Sequence, residues 1–117
     1  TEEGESRVIL DADKINIPFV IRFRQPGDRF IPLGMTQLKR LKEFFIDEKV
    51  PKYERDLIPV FDDGEKLFWI AGYRLDNRVR YDESTTHYLQ IKATNITVKS
   101  RKAILKKKRG NDESDEL

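Results

Sequence analysis

The chain has 117 residues, 38% of them hydrophobic and 38% charged, with a formal net charge of +2, so one domain with one modest core is expected. It contains no cysteine, which excludes disulfides, thiolate metal sites and a cysteine nucleophile. No apolar run approaches the roughly 20 residues of a membrane span and the start lacks a signal-peptide core, so a cytoplasmic protein with no membrane partner is expected.

The chain opens on TEEGES, three acids and no base, read as a disordered acidic tail over residues 1–6. RVIL (7–10) is a short strand candidate and DAD (11–13) a turn. NIPFVIRFR (16–24) alternates as a half-buried strand does: Phe19, Ile21 and Phe23 face one side, Val20, Arg22 and Arg24 the other. Pro26-Gly27 suits the centre of a type II turn, because proline fixes φ and glycine tolerates a positive one. Ile31, Pro32, Leu33 and Gly34 then read as an ordered loop. From Thr36, a candidate N-cap, to about Glu48 the period becomes helical. At about 100° per residue, Leu38, Leu41, Phe44 and Phe45 share an arc of roughly 120°. Lys39, Lys42 and Lys49 line one flank of that helix, while Arg40, Glu43 and Asp47 fall on its far side.

Pro51 suits a first helical position, and KYERDLI (52–58) allows one or two turns that set Lys52 and Arg55 one turn apart. Asp63-Gly64 marks a hairpin within 58–76. LFWIA (67–71) is apolar on both faces and reads as a central strand. Arg74, Asp76, Arg78 and Arg80 share a side if the chain there is extended. THYLQIKAT (86–94) is a further strand with Leu89, Ile91 and Ala93 inward. NITVK (95–99) is a pairing candidate for it, and RKAILKKKR (101–109) a basic end segment. GNDESDEL (110–117) is a second acidic tail read as disordered. Between the tails, residues 7–109 hold all 23 Lys and Arg against 14 of the 21 acids, a net of +9. Such an excess on a small body favours a polyanion partner. Strands, then two short helices after the second strand, then more strands indicate an α+β domain with an antiparallel or mixed sheet.

Signals for catalysis are missing. The single His87 has no evident nucleophile partner and reads as a surface or cap residue. No metal-spaced histidine cluster and no glycine-rich phosphate cradle is present, so no catalytic, cofactor or metal residue is assigned. Arginine offers a planar fork that matches phosphate oxygens, and lysine a mobile point charge. The arginine strand with its turn, the lysine flank and the Arg74–Arg80 segment could together track phosphates. Asp28 and Asp56 are the expected intramolecular partners, with roughly half of the basic residues assigned to such pairs. Tyr53, Tyr73 and Tyr81 are the aromatics worth testing for base stacking, but recognition by phosphates, shape and a few base edges is the expectation ahead of single-strand stacking.

Four blocks in order carry a family resemblance: R-x-R-x-x-G-D-R-F-x-P-L-G-M (22–35), K-x-L-K-E-F-F-I-D-x-K-V-P (39–51), E-R-D-x-x-P-V (54–60) and W-I-A-G-x-R (69–74). Together they resemble the C-terminal domain of tRNA(Ile)-lysidine synthetase, over about residues 18 to 92. The resemblance implies a small β-sandwich-like α+β fold shared with a module of the phenylalanyl-tRNA synthetase β subunit. It implies residues 7–109 as a noncatalytic tRNA-binding domain that engages the acceptor-stem side of the minor isoleucine tRNA with a CAU anticodon. In such an enzyme, lysine is attached to the wobble cytidine by an N-terminal domain using ATP and Mg, whose pyrophosphate loop is absent from this sequence. Carried onto matching positions, it places Arg22, Arg24, Arg29, Lys39, Lys42, Lys49, Arg55 and Arg74 near RNA. Gly27, Pro32, Gly34 and Pro51 would shape the backbone, and Asp28 would orient an arginine. The rival expectation is a protein-interaction domain that supports homodimerisation or interdomain positioning.

Overall fold

The structure, a computed structural model, describes residues 5–94. The expectations for the 110–117 tail, the NITVK strand and the basic 101–109 segment lie outside the described residues, as does most of the first tail. Strand β1 (Glu5–Asp11) begins inside that tail, two residues before the strand read from the sequence. It pairs antiparallel with β8 (Tyr88–Thr94), from Glu5 opposite Thr94 to Asp11 opposite Tyr88. A four-stranded sheet runs in the order β2 (Val20–Arg22), β5 (Val60–Asp62), β6 (Leu67–Ile70), β7 (Arg74–Leu75). A third, two-residue ladder joins β3 (Arg29–Phe30) to β4 (Lys39–Arg40). All of these pairings are antiparallel. Helices α1 (Leu41–Asp47) and α2 (Lys52–Arg55) lie between β4 and β5.

The four-stranded sheet separates two cores: Val60 and Phe61 of β5 point to opposite faces, and a register shift at Phe61/Asp62 places the consecutive Phe68 and Trp69 of β6 in the same core. Opposed Val60 and Ile70 pack with Phe30, Leu41, Phe44 and Phe45 beneath the helices. Opposed Phe61 and Trp69 pack with Leu10, Phe68, Leu75 and Val79 beneath the β1–β8 ladder. All four residues of β6 are buried, so the central-strand reading of LFWIA holds. Leu89, Ile91 and Ala93 point inward onto the ladder-side core, also as expected.

Three local expectations change. The strand read over 16–24 keeps only Val20–Arg22, since β5 offers three partners there and the Asn16 amide is drawn instead to the Asp63 carboxylate at 2.9 Å. The helix read from Thr36 starts at Leu41. Lys39 and Arg40 are extended because they pair with β3, and the Leu41 amide donates to the Asp28 carbonyl at 2.9 Å, fixing the entry. Leu38 therefore lies outside the helix and exposed, while Leu41, Phe44 and Phe45 are buried. Arg74, Asp76, Arg78 and Arg80 do not share a face, because Asp76 accepts from the Arg78 amide and caps a single 3-10 turn, Asn77–Val79.

The end of α1 explains one unusual residue. The Lys49 amide donates to the Ile46 carbonyl and the Val50 amide to the Phe45 carbonyl, each at 3.0 Å. This Schellman closure needs a left-handed residue at Lys49, where φ is +59°. It swings Val50 into the core and turns the chain at Pro51. Pro51 is the N-cap of α2, one position before the first helical site assigned from the sequence.

Candidate nucleic-acid interface

The Gln25–Asp28 turn forms as the sequence requires: Gly27 has φ +85° and the Asp28 amide donates to the Gln25 carbonyl at 3.2 Å. Arg22 braces it from behind. Its guanidinium donates two bonds to the two Asp28 carboxylate oxygens and one to Asp62, each at 3.0 Å. The Asp28 carboxylate also accepts from the Gln25 amide at 2.7 Å. The Asp28 bond, with further help from Asp62, raises the Arg22 pKa above its ordinary value against the opposing effect of burial. The Asp28 carboxylate holds the Arg22 guanidinium against the turn, so Arg22 is a positioning residue.

Ahead of this brace lies an open cleft of about 610 Å³ between the turn, the start of α1 and α2. Six cations line it: Arg24, Arg29, Arg40, Lys42, Lys52 and Arg55. Its acids are Asp28, held by Arg22, and Asp56, which accepts from Arg24 at 2.7 Å. Arg24 also lies 5.9 Å over the Phe45 ring, and Arg55 donates to the Val50 carbonyl at 2.9 Å, so both are fixed on the cleft wall. Arg29 and Arg40 are direct cross-strand partners in the β3–β4 ladder. Like charges so placed destabilise a ladder, and among the described residues neither arginine has an ion pair. A bound anion would relieve this repulsion.

The structure thus brings together Arg24, Arg29, Lys42 and Arg55 of the expected set. Arg22 stands behind the cleft. Lys39, Lys49 and Arg74 do not line it: Lys39 pairs with Asp47, and Arg74 pairs with Glu48 at 3.2 Å while lying 5.3 Å over the Phe44 ring. The expectation that Asp28 and Asp56 serve as internal partners is met by Arg22 and Arg24. Arg40 and Lys52 were not assigned to the interface from the sequence. A helix running from Thr36 would carry Arg40 on its far side, whereas its pairing with Arg29 turns it into the cleft. The spacing of Lys52 and Arg55 on α2 was the available signal for Lys52.

Pro32, Gly34 and their neighbours fasten the loop beside the ladder. Gly34, with φ +89°, donates to the Asn77 side chain at 3.0 Å. Buried Asp76 accepts from the Ile31 amide at 2.8 Å and takes the Arg78 fork at 2.9 and 2.8 Å. Asp76 thereby ties the β3 end to the β7 end. Among the described residues no group of His, Asp and Glu could hold a metal ion.

The TilS substrate C-terminal domain family matches residues 19–91. The chain belongs to that family. It is similar to the tRNA(Ile)-lysidine synthase of Caldanaerobacter subterraneus subsp. tengcongensis, 46% identical over 92 residues that cover 79% of this chain and 20% of that protein. The synthase of Clostridium tetani is 43% identical over 83 residues, 71% of this chain and 18% of that protein. The chain thus spans about a fifth of the length of these curated relatives. A crystal structure of a TilS C-terminal domain superposes with a TM-score of 0.63 at 26% identity, covering 80% of this chain and 74% of that one. An N-terminal fragment of the phenylalanyl-tRNA synthetase β subunit from Pyrococcus horikoshii shares the fold, with a TM-score of 0.63 at 19% identity, over 91% of this chain and 34% of that one. A TilS C-terminal fold places this cleft on a small antiparallel domain with two short helices. No helix among the described residues is long and apolar enough to cross a membrane.

Proposed function

We propose that the cleft grips phosphates of a tRNA, as the substrate-engaging end of a longer tRNA(Ile)-lysidine synthase. The observation that carries the reading is the Arg29–Arg40 cross-strand pair, two guanidiniums opposite one another in a cleft of six cations. The planar forks suit phosphate oxygens, and the open shape suits a backbone better than a small enclosed ligand. The names of the similar proteins support an isoleucine tRNA as the RNA. In this reading the domain holds the acceptor-stem side of the CAU-anticodon isoleucine tRNA. Another domain of the parent enzyme attaches lysine to the wobble cytidine with ATP. The residues described here bind and orient the RNA and make no covalent step.

The test is binding of the chain to that tRNA and to an unrelated tRNA across a salt series. Affinity should fall steeply with salt, because each neutralised phosphate releases counterions. Arg29→Glu and Arg40→Glu should each weaken binding and flatten the slope, with the fold unchanged by circular dichroism. Equal binding to both tRNAs would keep the grip and move selectivity elsewhere. No binding at low salt, with a tight dimer by light scattering, would sink the reading in favour of an assembly domain.

A further inference from the structure

A second concavity has a different chemistry. It is a groove of about 940 Å³ formed by β1, the β6–β7 turn and the chain after the 3-10 turn, and it shares no lining residue with the cleft. Arg7, Arg74 and Arg80 line it, and no acidic side chain does. Glu48 already pairs with Arg74. Arg80 has no ion pair among the described residues, so its charge faces the groove uncompensated. Tyr73 and Tyr81 line it too, 39% and 52% exposed. The Tyr81 ring stands edge-on to Tyr88 at 5.5 Å, which limits its motion while leaving much of it open to solvent. Buried Trp69, the sole tryptophan, forms part of the same wall.

An arginine without an acid beside it, as Arg80 is, attracts an anion, and the exposed rings next to it offer flat faces. A duplex presents phosphates but keeps its base faces stacked inside, so it would leave the tyrosines unused. Unpaired nucleotides present both groups at the spacing of one backbone unit. We propose that this groove binds unpaired RNA nucleotides, with a base stacked on Tyr81 and a flanking phosphate on Arg80. The proposal builds on the reading of the chain as an RNA-binding domain, and it adds a second, single-strand subsite to the cleft.

The experiment titrates the whole chain with a six-nucleotide single-stranded RNA, the same hexamer lacking its bases, and a blunt duplex RNA. Trp69 fluorescence reports the groove. The hexamer should change that fluorescence, and the baseless hexamer should bind weakly. Tyr81→Ala should weaken the hexamer about tenfold, the scale of one lost base stack, and Tyr81→Phe should restore it. Arg80→Gln should weaken it by about threefold, within the range of one exposed ion pair. Neither change should alter duplex binding, which Arg29→Glu should weaken. Hexamer binding with duplex and tRNA both unbound would leave the groove standing and defeat the cleft. The groove proposal is overturned if the hexamer fails to bind. It is equally overturned if hexamer binding survives Tyr81→Ala but is lost in Arg29→Glu, or if Tyr81→Ala changes the oligomeric mass and leaves RNA affinity alone.

Discussion

Arg22 and Arg29 belong to one sequence run and end in opposite states. Arg22 lies against two carboxylates and holds the turn. Arg29 faces another arginine across a ladder and has no ion pair among the described residues. The same contrast recurs further along. Arg78 is locked on Asp76, while Arg80 faces the groove without an acid. Charge density therefore does not mark the interface. An arginine held by a largely buried carboxylate, as Arg22 and Arg78 are, builds the fold, and one without an acid remains available to an anion.

Removing a brace should cost the most. Asp76→Ala would empty a fully buried position and take the acceptor from the Ile31 and Arg78 amides, while the partly exposed Arg78 guanidinium turns to solvent, and should destabilise the fold by about 3 kcal/mol in urea denaturation. A value below a few tenths would break the contrast, since Asp76 would then be no brace at all. Acid should act on the next brace. Burial by itself would raise the Asp63 pKa, but bonds from the Asn16, Glu65 and Lys66 amides and the Lys66 ammonium hold it at about 2. A carboxylate depressed in the folded state stabilises above its unfolded pKa. That contribution, roughly 2 kcal/mol, should fade as pH falls from about 4 through 2. Denaturation midpoints taken across that range check it, and Asp63→Asn should flatten the profile.

Smaller effects sharpen the unbraced side. Lys49→Gly removes the side chain from a left-handed position and should raise stability by about 1 kcal/mol. If tRNA affinity stays unchanged in that variant, Lys49 lies outside the RNA contact, as its absence from the cleft wall indicates. The smallest stability change is expected for Arg29→Ala, a gain of about 0.5 kcal/mol as cross-strand repulsion is relieved. Thermal melts would show that gain beside a loss of RNA affinity. A destabilised Arg29→Ala would mean that the residue supports the fold.

The elements set by local chemistry were legible in the sequence. The Pro26-Gly27 turn, the Asp63-Gly64 hairpin and the doubly buried LFWIA strand each depend on φ preference or on side-chain period, which a short window contains. So did the pairing of arginines with Asp28 and Asp56, at least as an expectation of type. The start of α1 was not legible, because Lys39 and Arg40 are extended only through pairing with Arg29 and Phe30, a contact between separate segments. That same contact puts Arg40 into the cleft. Lys49 could not be read as left-handed, since helix closure there is driven by burial of Val50 rather than by a glycine.

Sequence alone determined a small basic α+β fold, its family, its turn chemistry and the cationic residues an anion could use. Tertiary structure decided which of those residues are free to do so. The reason is physical: an ion pair or a cross-strand neighbour depends on which side chains the folded backbone brings within a few ångströms. In this domain that proximity commits Arg22 and Arg78 to the scaffold and leaves Arg29, Arg40 and Arg80 facing outward.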